Sequence, residues 1–150
     1  MKNCAALLSI SVFILASSMA DYNKPIGVAA VDMQRIINAD REPQNWLAHG
    51  RTYDEQRFSP LTTINADNVS ELGLAWYLDL GTDRGQEATP IVVDGVIYVS
   101  GAWNIVYAID ARSGELLWQH NPETLRVWVA EYAVHDAVSR GVAVWDGKVI

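Results

Sequence analysis

The chain has 150 residues, with 18 Asp+Glu against 11 Lys+Arg and a formal net charge of −7. That length allows one domain, and with half its residues hydrophobic and 19% charged the chain is not a disordered one. The acidic balance argues against a binder of nucleic-acid phosphates, and a single Cys excludes an internal disulfide framework or a Cys-based zinc site. Six Trp and six Tyr against two Phe suit β-rich packing, where a ring buries one edge and hydrogen-bonds with the other.

Residues 1–20 read as a secretory signal. Lys2 gives a positive start, Ala5 to Ala16 is apolar apart from Ser9 and Ser11, and Ser18 and Ala20 are the small residues a signal peptidase reads. The competing reading is a buried helix or a membrane anchor. The run is short for ~30 Å of hydrocarbon, and no second such stretch follows. Cleavage after Ala20 removes Lys2 and Cys4 and takes the formal charge to −8. The expectation is an exported, periplasmic protein with no membrane span in its mature part.

Residues 21–45 form an N-terminal segment with one short helix, Val31 to Ile37, with Asp32 near its start and Pro43 beyond its end. Trp46 to Pro60 reads as loop, Asn65 to Leu72 as one or two helical turns, and Leu74 to Leu80 as a strand. Two β-branched runs, Thr89 to Val93 and Val96 to Ser100, then flank Asp94-Gly95. That dipeptide is a strong hairpin signal, because both turn positions need positive φ. Strands at Ile105–Ile109 and Glu115–Trp118 complete a four-stranded antiparallel meander. The pattern restarts with Val142 to Trp145, Asp146-Gly147 and Lys148 to Ile150.

Asp94 and Asp146 lie 52 residues apart. Four strands in a period of about 50 residues is the arithmetic of a β-propeller blade. The alternative is an antiparallel sandwich with two similar hairpins. A lone blade exposes both faces, and propellers close with roughly 4–8 blades. Residues 46–150 are therefore expected to be an incomplete propeller, an N-terminal fragment that does not fold alone.

The series Asn45-Trp46, Gly50-Arg51, Phe58-Ser59, Ile64-Asn65, Asn68-Val69 and Leu72 resembles the N-terminal signature of bacterial quinoprotein alcohol dehydrogenases, which use pyrroloquinoline quinone (PQQ). Gly73 departs from it, standing where the family carries Lys, Arg or Thr. Ala108-Ile109-Asp110 with Ser113-Gly114-Glu115 and Trp118 is similar to the family's tryptophan-docking motif. The resemblance implies an all-β fold, here the first blade and the start of the next in an eight-bladed propeller. Trp118 would then pack between blades, or simply in the core. Trp46 and Phe58 are read as packing residues.

The resemblance also implies site residues. Glu87 in Glu87-Ala88-Thr89-Pro90 would hydrogen-bond the cofactor; its ordinary reading is an exposed loop carboxylate. Arg140 in Asp136-Ala137-Val138-Ser139-Arg140-Gly141 would bind the quinone oxygens and a cofactor carboxylate. A planar, always charged fork suits an electron-deficient polyanion; the alternative is a surface ion pair. Ser139 stands for the family's Asn. The family's adjacent cysteines are replaced by Val134 and His135, so no vicinal disulfide forms. His135 would stack on the quinone, offer it a polar edge, or be a plain loop histidine.

The function so implied is a PQQ-dependent dehydrogenase oxidising alcohols, or related sugars or aldehydes, by hydride transfer to the quinone. Calcium, a cytochrome c acceptor and a haem c domain are the further partners implied. The catalytic base and calcium ligands are expected beyond Ile150, so these residues alone would be inactive. The rival readings are a non-catalytic propeller scaffold of the cell envelope and an inactive truncated product.

Overall fold

The computed structural model describes residues 29–124 and 137–150. The signal segment 1–20, and Val134, His135 and Asp136 of the cofactor motif, lie outside the described residues. Among the described residues no helix is long and apolar enough to cross a membrane.

The centre is a four-stranded antiparallel sheet in the order β1-β2-β3-β4: β1 Ile91–Val93, β2 Val96–Ser100, β3 Val106–Asp110 and β4 Leu116–His120. This is the meander that the β-branched runs predict. Asp94 (φ 50°) and Gly95 (φ 87°) make the first turn, and its register pairs Val93 with Val96. The second Asp-Gly turn repeats it, with Asp146 at φ 46° and Gly147 at φ 74° between β5 Val144–Trp145 and β6 Lys148–Val149. Two consecutive positive φ values match the right-handed strand twist, so the dipeptide dictates the hairpin locally.

Burial alternates along β2, with Val96, Tyr98 and Ser100 inward, so one face of the sheet is core. The N-terminal segment covers that face: Ala29, Val31, Ile36 and Leu47 join Ile91, Val93, Val96, Tyr98, Ala108 and Val144 in one cluster. The helix α1, Met33–Ile37, is two residues shorter than predicted. It starts where the Asp32 side chain accepts the Arg35 backbone N–H at 2.8 Å, an N-cap that satisfies one orphan donor. The region Asn65–Leu72 contains a single 3₁₀ turn, Val69–Glu71.

The same segment holds both hairpin turns. The Arg35 guanidinium bonds Asp94 at 2.8 and 3.1 Å and also pairs with Glu42. Asn45 accepts the Asp94 N–H at 2.9 Å and donates to Glu42 at 2.7 Å. At the second turn the Asp146 and Gly147 N–H groups donate to Val31 and Ala29 carbonyls, each at 2.9 Å. Trp46 exchanges two backbone bonds with Val92, at 2.8 and 2.9 Å. Arg51 is buried and donates to Asp40 at 2.8 Å. Of the signature residues, Asn45 and Trp46 tie the N-terminal segment to the first hairpin, and Arg51 braces that segment through Asp40 and the Ala39 carbonyl.

Hydrogen bonding from Arg35 holds the Glu42 carboxyl below its ordinary range. A lowered folded-state value contributes stability above the unfolded value of about 4.3, and that contribution is lost as pH falls through the folded value. We expect Arg35→Ala to lower the melting temperature at neutral pH and to flatten its fall in acid. Parallel acid limbs for the two proteins would contradict this.

Two expectations change, Leu74–Leu80 as a strand and Phe58 as a packing residue. Leu74–Leu80 forms no ladder among the described residues. A strand needs a partner for its backbone, and this segment is held instead by side chains. Trp76 Nε1 donates to the Ala111 carbonyl at 3.1 Å, and its ring lies on Gly114. Trp118 is 41% exposed on the edge strand β4, in a tilted contact with Tyr98 at 6.0 Å between ring centroids. Phe58 is exposed rather than packed.

Candidate cofactor site

The predicted site residues Glu87 and Arg140 are 53 positions apart, and the fold brings them together. Arg140 Nη2 lies 3.8 Å from Glu87 Oε2. Thr89, just before β1, forms a parallel bridge with Gly141, and its N–H donates to the Arg140 carbonyl at 3.1 Å. Because Glu87 precedes that bridge and Arg140 borders it, the backbone register sets their spacing. Both side chains are open to solvent, at 52% and 86% exposure. The ordinary alternatives, a loop carboxylate and a surface ion pair, describe the same contact. His135 cannot be placed, since it lies outside the described residues.

The donor set fits a polyanionic planar quinone. The guanidinium is a fixed fork of N–H donors, held among the described residues by one long contact to a carboxylate and 86% exposed. Such a loose exposed pair is worth little in water, so exchanging it for a charge-assisted bidentate contact is favourable. Among the described residues no group of three His, Cys, Asp or Glu converges on a cation position.

The surrounding loops are tightly built. The Trp103 N–H donates to the Ala137 carbonyl at 2.8 Å, while its own carbonyl accepts from Thr124 Oγ1 at 3.1 Å. Trp103 and Asn104 both take positive φ, 61° and 58°, a local strain that these bonds hold in place. Arg84 sits over the Trp103 ring, 5.6 Å from its centroid. A cleft of about 540 Å³ opens here, lined by Asp79, Thr82, Asp83, Trp103 and Tyr107 among others. Burial raises the Tyr107 phenol above its ordinary value, and its hydroxyl donates to the Leu80 carbonyl at 3.3 Å. Glu87 and Arg140 lie outside this cleft, on an open edge of the blade.

One contact escaped the sequence reading. The hydroxyls of Ser100 and of Ser139, next in sequence to Arg140, are 3.0 Å apart. Ser139 carried no signal beyond being small and polar, and its partner is 39 positions away.

This geometry can be set beside known proteins. The quinohaemoprotein alcohol dehydrogenase ADH-IIG of Pseudomonas putida is 59% identical over 121 residues, spanning 81% of this chain and 17% of the relative. The dehydrogenase subunit of a quinone alcohol dehydrogenase from Komagataeibacter europaeus is 48% identical over 146 residues, 97% of this chain and 18% of that one. The solved structure of ADHIIG from Pseudomonas putida HK5 superposes with a TM-score of 0.79 at 58% identity, covering 84% of this chain and 18% of the other. The chain thus spans under a fifth of the length of these relatives, and the propeller, rather than the sandwich, is its architecture. The family described as PQQ: glucose/ethanol/alcohol dehydrogenase, β-propeller domain, matches residues 46–149, and with most of its length so covered the chain belongs to that family.

Proposed function

We propose that these residues form the first sector of the cofactor cradle in an exported, PQQ-dependent alcohol dehydrogenase. The observation that carries this reading is the Glu87–Arg140 pair, brought to 3.8 Å on one blade edge by the Thr89–Gly141 bridge. The names of the two relatives above, a quinohaemoprotein alcohol dehydrogenase and a subunit of a quinone alcohol dehydrogenase, support it.

When bound, PQQ supplies the hydride acceptor for alcohol oxidation. Arg140 holds the anionic edge of the cofactor and offsets negative charge that develops there. Glu87, released from the guanidinium, gives the cofactor a hydrogen-bond acceptor. We assign the catalytic base and the calcium ligands to the remainder of the propeller, and the electron acceptor to a haem c domain or a cytochrome c. Periplasmic export follows from reading residues 1–20 as a cleaved signal.

The test is the complete dehydrogenase carrying this segment. With PQQ and calcium it should show a bound-quinone absorption band and dye-linked alcohol oxidation. A well-folded preparation with neither would overturn the reading in favour of a scaffold.

A further inference from the structure

We infer that the buried hydroxyl of Ser100, acting through Ser139, is the positioning group that aims Arg140; this rests on the cofactor reading above. Ser100 ends β2 and is 2% exposed. Its hydroxyl donates to Ser139 Oγ at 3.0 Å, and Ser139 in turn makes long contacts of 3.5 Å with the Gly141 backbone.

The stretch 137–141 has backbone ties at its two ends, Trp103 N–H to the Ala137 carbonyl and Thr89 N–H to the Arg140 carbonyl. Ties at two ends fix where a segment runs but leave it free to roll about the line between them. Consecutive side chains leave the backbone in different directions, and here Ser139 meets the buried Ser100 while the next side chain, Arg140, is exposed. Ser139 drawn inward onto Ser100 therefore turns Arg140 outward, and Arg140 is the exposed member, beside Glu87. The Ser100 hydroxyl has no water to fall back on, so its bond to Ser139 is the satisfied state of a buried polar group. A fork that recognises a planar anion needs a set direction as well as charge. The serine pair supplies that direction.

Equilibrium PQQ binding by the complete dehydrogenase tests this, read by quenching of protein fluorescence and by the absorption band of the bound quinone. Ser100→Ala should weaken binding about fivefold, the worth of one neutral hydrogen bond, and shift the band. Ser139→Ala should do the same. In an Arg140→Ala background neither change should have any further effect, because the serines act only through the guanidinium. Equal weakening in both backgrounds would make Ser100 a general structural residue and overturn the inference. Wild-type affinity in both serine variants, with Arg140→Ala still impaired, would overturn it while leaving the cofactor reading standing. A wild-type protein that binds no PQQ would remove both.

Discussion

Arg140→Ala is expected to weaken PQQ retention by on the order of a hundredfold, the cost of losing charge-assisted hydrogen bonds to an anionic ligand. The chain itself should be almost undisturbed. Arg140 is 86% exposed and its ion pair with Glu87 is long at 3.8 Å, so its removal takes little from the fold among the described residues. Arg140→Lys should fall between the two, because an ammonium keeps the charge and loses the planar fork. The measurement is a PQQ titration of the metal-loaded apoenzyme at fixed ionic strength, since an exposed charge is screened by salt. Undiminished affinity in Arg140→Ala would place the cofactor elsewhere on the blade.

The second large effect is on stability. Gly114 has φ 74°, and a Cβ built there would lie 2.5 to 3.0 Å from Trp76 ring atoms. Its N–H donates to the Asp110 carbonyl at 2.9 Å, and the Asp110 carboxylate accepts from Arg112 and Ser113. Those backbone donors hold the Asp110 carboxyl below its ordinary value. Gly114→Ala must therefore strain a locked turn and push out an indole whose Nε1 is bonded to Ala111. A cost of about 2–4 kcal/mol is expected, the sum of a left-handed alanine and a displaced aromatic contact. Gly73→Ala is the control: a Cβ added there would meet no atom within 4 Å, and φ is not positive. Denaturant unfolding of the complete dehydrogenase carrying each variant decides the matter, and equal midpoints would show that Trp76 does not depend on this glycine.

Trp76 also shows what the strand prediction for Leu74–Leu80 missed. The alternation is real, with Trp76, Leu78 and Leu80 less exposed than Ala75, Tyr77 and Asp79. Period 2 reports an extended chain with one covered side. It says nothing about whether a backbone partner lies alongside.

The candidate site divides in the same way. Glu87 and Arg140 were nameable from short motifs around each, because each motif is a local string. Their meeting depends on the Thr89–Gly141 bridge, and no property of either string encodes it. The Ser100–Ser139 pair is a further step removed, since serine at an extended position has no periodicity or turn preference to betray a partner.

The amino-acid order alone determined the elements whose cause lies within a few residues. Two Asp-Gly turns fold because those residues tolerate positive φ, β-branched runs extend beside them, and Asp32 caps the helix that follows it. Tertiary structure decided what joins positions far apart: Arg35 with Asp94, Trp76 with Gly114, Glu87 with Arg140 and Ser100 with Ser139. The reason is physical. A turn or a cap gains its free energy from the backbone next to it, whereas a long-range pair gains it only once the chain between has been folded and its entropy lost.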